Sequence, residues 1–148
     1  MAGLFAKNTY LYKGDGASPE NFVKIANVKS INGPGFKVTV IDTTTHSTLG
    51  NFREKAAVLV DPGTLTFMVN YDPNDATLAP ATGLFNELQT LAESNYQLHF
   101  PPSDSLNTMM EFRGFVTGHP FTFPIDNVIE GNIEITIDGA VNFTTYTP

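Results

Sequence analysis

The stretch Ala57–Asp75, AVLVDPGTLTFMVNYDPND, decides the fold of this chain. Between residues 64 and 71 its side chains alternate between two faces. One face carries Leu65, Phe67, Val69 and Tyr71, and the other carries Thr64, Thr66, Met68 and Asn70. A period of two is typical of a strand that is buried on one side. The stretch therefore predicts a half-buried strand at the centre of the sequence.

The tripeptide Asp61-Pro62-Gly63 separates this strand from the short apolar run Val58–Val60. Pro62 fixes its own φ and Gly63 accepts a positive φ, so the pair suits a type II turn. The twist of a type II turn fits a tight two-residue hairpin poorly. We therefore predict a corner here, at which the chain passes from one part of a sheet to another.

Composition limits the class of protein. The chain has 148 residues with 12 Phe and 5 Tyr, enough for one domain with a core, and its 12 Gly and 10 Pro favour many turns. Without cysteine it has no disulfides and no thiolate metal site. The net charge of −7 argues against a surface that binds phosphates. No apolar run is long enough for a signal peptide or a membrane span, so we expect synthesis in the cytoplasm and no membrane insertion.

Strand patterns recur along both halves of the chain. Phe22–Ile31 predicts a strand that is kinked near Ala26-Asn27, and Asn32–Gly35 predicts a turn that joins it to Phe36–Val40 in a β-hairpin. Residues 96–100 and 108–118 predict two more strands.

The clearest alternation is in Ile129–Asp138, which places isoleucines on one face and polar side chains on the other. Asp138-Gly139 predicts a hairpin turn after it. Together these patterns predict an all-β fold, a β-sandwich or small barrel of about seven to eight strands with one flanking α-helix.

Three segments lack the period of a strand, and we predict that they belong to a single domain of residues 1–148. Residues 1–20 are read as an N-terminal arm that packs on its own domain or on a neighbour. Residues 42–56 are polar and form a long loop, which we expect to become ordered on assembly. Residues 77–95 contain the helix, with Leu84, Leu88 and Leu91 on one apolar face.

No arrangement of residues predicts catalysis. The carboxylates of Ile129–Asp138 are a row on a solvated strand face, and His46, His99 and His119 have no metal-ligand spacing. No serine lies in a G-x-S-x-G sequence. We therefore expect no enzymatic activity, no metal and no cofactor.

At this point several segments, taken in order, resemble the major tail tube protein of long-tailed bacteriophages, within the wider superfamily of tail and secretion tubes. They are SPENFVKIANVKSINGPG, IDTTTHS, DPGTLTFMVNYDP and FRGFVTG, followed by the final strand with its Asp-Gly turn. The resemblance covers nearly the whole chain. Some relatives append an immunoglobulin-like domain after the tube domain; the match ends near Pro148, so we expect no such C-terminal domain.

The resemblance implies a structural virion protein that forms hexameric rings, which stack into the tail tube and conduct DNA during ejection. Its partners would be further copies of itself and the tape measure, tail terminator and baseplate proteins, with transient, non-specific passage of DNA. The candidate lumen-facing residues are Glu130, Asn132, Glu134 and Asp138. The candidate inter-ring contacts are Thr44, His46, Phe52, Arg53, Glu54, Lys55, Tyr10 and Tyr12.

Three other functions remain open at this stage. A carbohydrate-binding module of the β-sandwich type would show aromatic residues on the polar face of a strand, and we expect none there. A small β-barrel enzyme would need a site assembled from scattered residues. A tube protein of a contractile, secretion-like system is a close relative that the sequence does not separate from a phage tube.

Overall fold

The computed structural model of the protein describes residues 3–46 and 50–147. Within these residues the chain forms eleven strands and one α-helix. The strands are β1 (Tyr10–Gly14), β2 (Phe22–Lys24), β3 (Val28–Asn32), β4 (Lys37–Asp42), β5 (Lys55–Asp61), β6 (Thr64–Asn70), β7 (Glu93–His99), β8 (Thr108–Gly118), β9 (Phe121–Thr122), β10 (Glu130–Ile137) and β11 (Asn142–Thr145), and the helix α1 is Leu84–Thr90. The predicted all-β class with one helix is confirmed, although the strands are more numerous than predicted because kinks and short edge pairings divide the runs.

Nine strands form one antiparallel sheet. Seven of them follow the order β2-β1-β7-β8-β10-β6-β3, while β11 pairs with β8 and β9 pairs with β10. Strand β8 is its longest member, with 11 residues. One side of β8 pairs with β7. Its other side is shared, because β11 pairs with Thr108–Glu111 and β10 pairs with Gly114–Gly118.

The sheet is rolled. Strands β2 and β3 stand at opposite ends of the pairing order, yet only residues 25–27 separate them in sequence. Four residue steps reach at most about 14 Å, whereas a flat sheet of seven strands would be about 29 Å wide at ~4.8 Å per strand. The two edges must therefore approach each other, and the sheet curls around a core as in a sandwich or small barrel.

The inner face of the rolled sheet forms the core. Leu65, Phe67 and Val69 of β6 are almost fully buried, which confirms the alternation that the sequence showed. On β10 the register places Ile133 opposite Phe67 and Ile135 opposite Leu65, so that both strands contribute to the same layer. The remaining core residues are Leu11, Ile25, Leu78, Leu84, Tyr96, Leu98, Met110, Phe112, Val116 and Ile137.

The corner at residues 61–63 is confirmed, since β5 and β6 belong to different sheets. Gly63 has φ 75°, and its N–H donates to Asp61 Oδ1 over 2.9 Å. The hairpin predicted across Asn32–Gly35 is wrong: β3 pairs with β6, and β4 pairs with β5 in a separate two-stranded ribbon. The predicted kink is present at Asn27, where φ is 60° and the run divides into β2 and β3.

The helix is shorter than the predicted region of residues 77–95. It begins only after Gly83, because residues 75–83 instead form turns in which the N–H groups of Leu78 and Ala79 donate to the Asp75 carbonyl. It ends at Thr90, and Leu91 caps it in the left-handed conformation with φ 57°. Residues 93–95 belong to β7. Pro80 and Gly83 disfavour a helix that begins earlier, and the residues from Glu93 onward pair in β7 instead of continuing the helix.

The two ends of the chain also differ from expectation. The predicted N-terminal arm contains β1, which lies between β2 and β7 and buries Leu11 completely. Asp138-Gly139 is a turn, with φ 85° at Gly139, but the strand after it pairs with β8 instead of folding back on β10. Among the described residues no helix is long and apolar enough to cross a membrane.

Candidate assembly surfaces

The ribbon formed by β4 and β5 is apolar on both faces. Its register places Val38 opposite Val60 and Thr39 opposite Leu59. The exposed fraction is 50% for Val38, 69% for Leu59 and 64% for Val60. An isolated two-stranded ribbon is marginally stable in water, and exposed apolar patches of this kind mark contacts with other proteins. The ribbon is therefore a candidate surface for assembly.

Only an indirect sign of this surface is visible in the sequence. The consecutive apolar residues Val58–Val60 have no period of two, which is the pattern of a strand that is apolar on both faces. Such a run is usually found in a strand that is buried on both faces. In the folded subunit both faces of this strand are exposed.

Most of the predicted inter-ring residues lie together at the tip of the ribbon. Glu54 N donates to Thr44 Oγ1 over 2.8 Å, and the N–H of Thr43 donates to the Glu54 carbonyl over 2.9 Å. Hydrogen bonds from Thr44, helped by Arg53 at 3.4 Å, lower the pKa of Asp42 below its ordinary value. The other members at the tip are Phe52, which is 83% exposed, Lys55 at the start of β5, and the exposed His46. Residues 47–49 of the predicted loop lie outside the described residues.

Tyr10 and Tyr12, the two remaining candidates for inter-ring contact, lie on β1 of the rolled sheet and not at the ribbon tip. The Tyr12 ring lies 4.2 Å from the His99 ring, and His99 stacks on Tyr146 at 4.3 Å. Partial burial raises the pKa of Tyr12 and lowers that of His99. The expectation that no strand carries aromatic side chains on its polar face is therefore wrong, although these rings mainly pack against one another and hold the C-terminal segment in place.

The four predicted lumen residues lie along the outer side of β10 and just beyond its end. Glu130 pairs with Lys29 at 3.3 Å, and Thr117 Oγ1 donates to Glu134 Oε1 over 2.9 Å. Asn132 and Asp138 are exposed. The set forms a polar, acidic strip on the face opposite the isoleucines. Whether this strip faces a channel stays a prediction.

In the part of the chain that the structure describes, no group of three or more His, Asp and Glu side chains could hold a metal ion. The prominent surfaces are instead an apolar ribbon, an acidic sheet face and an ordered ribbon tip. These features define a small β-structural subunit whose working surfaces meet other protein chains.

Comparison with known proteins identifies the family. The family model for the lambda phage tail tube protein matches residues 8–144, and the chain belongs to this family. It is thus a structural component of the virion tail, as the resemblance predicted. A search of curated proteins finds no match to this chain.

Solved structures of tubes share the fold. The tail of an empty gene transfer agent (GTA) particle, refined with C6 symmetry, matches with a TM-score of 0.72 at 16% identity, over 97% of this chain and 100% of that one. The SPP1 tail tube matches with a TM-score of 0.72 at 8% identity, over 99% of this chain and 81% of that one. A chain in the sheath/tube terminator structure of the extracellular contractile injection system PVC matches with a TM-score of 0.71 at 12% identity, over 98% and 99% of the two chains. At such low identity these matches show a common fold.

Proposed function

We propose that this tail tube protein assembles into hexameric rings that stack into a continuous tube, through which DNA leaves the particle. The observation that carries the proposal is the β4–β5 ribbon, whose two apolar faces are exposed in the single subunit. A ring closes when two different surfaces of each subunit meet by a repeated rotation, and stacking needs a further contact along the axis. The six-fold symmetry applied to the GTA tail, whose chain has the same fold, supports six subunits per ring.

The ribbon tip supports the axial contact. It combines Arg53, Glu54 and Lys55 with the exposed Phe52, so that both charges and an apolar ring are available to a neighbouring ring of subunits. The tape measure, tail terminator and baseplate proteins are the further partners that this role requires. Structures of a baseplate and of a sheath/tube terminator contain chains with the same fold, which supports contacts of this kind at the tube ends.

A tube of a contractile injection system is the second candidate. The TM-score to the PVC chain is 0.71, against 0.72 for the SPP1 tail tube, and the fold is therefore equally compatible with both kinds of particle. Electron microscopy of the native particle separates them, because only a contractile tail carries a sheath around the tube.

The test of the proposal is assembly of the purified protein. We expect negative-stain micrographs of concentrated protein, alone or with tail-initiating partners, to show rings or tubes of uniform diameter. A preparation that remains a monodisperse monomer under all these conditions would overturn the proposal.

A matched pair of variants tests the role of the ribbon. We expect Leu59→Lys to abolish assembly because it places a charge on an apolar contact surface, while the free energy of unfolding changes by less than ~0.5 kcal/mol because the side chain is exposed. Leu106→Lys is the control, since Leu106 is 71% exposed and Leu59 is 69% exposed. Assembly is measured by sedimentation velocity and stability by urea denaturation. Equal behaviour of the two variants in the assembly assay would contradict a specific role of the ribbon.

A further inference from the structure

A groove of about 900 Å³ lies beside β3, between that strand and the N-terminal residues 4–11. Strand β3 ends the pairing order of the rolled sheet and pairs with β6, so the groove follows the seam at which the sheet does not close. Its walls are largely apolar. They include Leu11, Ile25, Val28, Ile31, Leu98 and Met110.

The rim of this groove is positively charged. Lys7, Lys24 and Lys29 line it, which is three of the eight Lys and Arg residues of a chain with net charge −7. None of the described lining residues is acidic. Lys24 lies over the Tyr10 ring at 4.2 Å, and Lys29 pairs with Glu130 from outside the groove. The groove is therefore suited to a segment that is apolar and carries negative charge.

The same chain presents such a segment in residues 123–129, FPIDNVI, which we call the knob. The exposed fraction is 70% for Phe123, 105% for Ile125 and 51% for Val128. Asp126 lies among them, and the knob has no basic residue. Because Ile125 is fully exposed, the subunit's own groove does not cover it. Exposure of these apolar side chains to water is unfavourable in free energy, and a partner surface that covers them removes this penalty.

We propose that the knob of one copy inserts into the groove of a neighbouring copy, with Ile125 on the apolar wall and Asp126 near the lysines. The proposal rests on assembly into rings and adds the lateral contact that joins subunits. Knob and groove are different surfaces, so the contact is heterologous, and its repetition by a constant rotation closes a ring. It differs from the axial contact assigned to the ribbon tip.

The absence of cysteine from the chain allows a direct test by disulfide cross-linking. One preparation carries Ile125→Cys in the knob and a second carries Ser30→Cys in the groove, where Ser30 is exposed on β3. After the two are mixed, assembled and oxidised, we expect covalent dimers on a non-reducing gel. Each variant alone is the control and gives no more than background dimer. Assembly without dimers in the mixture, or equal dimers from the single variants, would overturn the proposal.

Charge reversal provides a second test that does not depend on cysteine. We expect Asp126→Lys to raise the protein concentration needed for half-maximal assembly about tenfold, which corresponds to ~1.4 kcal/mol. Asp138→Lys makes the same change of charge at another exposed carboxylate and leaves this concentration within about twofold of wild type. Equal effects of both variants would contradict a local contact. If wild-type protein assembles and both tests fail, only this inference falls; if wild-type protein never assembles, the proposed function falls with it.

Discussion

At the scale of single residues, His119 is the most unusual side chain of the subunit. It is 8% exposed, and within the described residues neither ring nitrogen has a hydrogen-bond partner. Aromatic rings surround it, with Phe121 at 4.5 Å, Phe85 at 5.8 Å and Tyr71 at 5.9 Å. Burial lowers the pKa of His119 below its ordinary 6.5. The folded subunit therefore holds a neutral imidazole, and burying its ring nitrogens without hydrogen bonds is unfavourable.

This arrangement predicts a loss of stability in acid. Because the folded pKa is lower than the unfolded pKa, the contribution of His119 is complete above pH 6.5 and decreases as the pH falls below it. One proton changes the free energy of unfolding by at most ~1.4 kcal/mol per pH unit. We expect His119→Phe to flatten the pH dependence of the free energy of unfolding, measured by urea denaturation between about pH 5 and about pH 7.5, because this range spans the ordinary pKa of histidine. His46→Phe, at an exposed position, should keep the wild-type dependence. Parallel curves for wild type and His119→Phe would refute the prediction.

At the scale of elements, the sequence predicts faces better than partners. The burial of Leu65, Phe67 and Val69 follows from a period of two, which needs only neighbouring residues. The partner of β3 is β6, and the strand after Gly139 joins β8; these choices depend on residues far away in sequence. A local turn signal cannot report such pairings. For the same reason the local sequence does not predict the exposed ribbon, because distant strand pairings decide that β4 and β5 stay outside the large sheet.

The candidate surfaces were predictable to different degrees. The ribbon tip could be predicted because Thr44, Arg53 and Glu54 lie in a polar segment without a period. The position of Tyr10 and Tyr12 could not be predicted, because an N-terminal segment without clear alternation forms the internal strand β1. The groove beside β3 has no sequence signal, since it exists only where the rolled sheet fails to close.

Shortening the ribbon tests its tip separately from its faces. We expect replacement of residues 43–54 by Asn-Gly to leave the subunit folded, because Asp42 and Lys55 are already paired opposite each other and Asn-Gly closes a two-residue hairpin. Rings should still form, but they should not stack, since the axial contact is removed. Negative-stain microscopy distinguishes single rings from tubes, and circular dichroism checks the fold. Normal tubes from the shortened protein would show that stacking does not use the tip.

At the scale of the whole molecule, the acidic strip on β10 can be tested in the particle. If Asn132 and Asp138 face the channel of the proposed hexameric ring, they lie beside the passing DNA phosphates, and the Asp138 carboxylate repels the DNA from the wall. These two residues are preferable to Glu130 and Glu134, whose carboxylates are engaged by Lys29 and Thr117.

We expect particles with Asn132→Lys and Asp138→Lys to assemble normally but to eject DNA more slowly. The delay should grow at low salt, because the screening length rises from about 10 Å at 0.1 M to about 30 Å at 0.01 M salt. Asn132→Gln with Asp138→Asn is the control, since it removes the negative charge without adding positive charge, and it should show a much smaller delay. Ejection followed by fluorescence of released DNA gives the rates. Identical rates for all particles at every salt concentration would place β10 away from the channel.

The two connections of the ribbon to the rolled sheet have a mechanical consequence. Gly33-Pro34-Gly35 leads into the ribbon and Asp61-Pro62-Gly63 leads out, and they touch: a methyl group on Gly63 would lie 2.9 Å from the carbonyl oxygen of Gly35. Two glycine-containing links side by side form a pivot line across the ribbon's base. We expect the ribbon to tilt as one piece about this line while the sheet keeps its shape. A long tail built from such subunits would bend smoothly, with its curvature divided into small tilts over many rings.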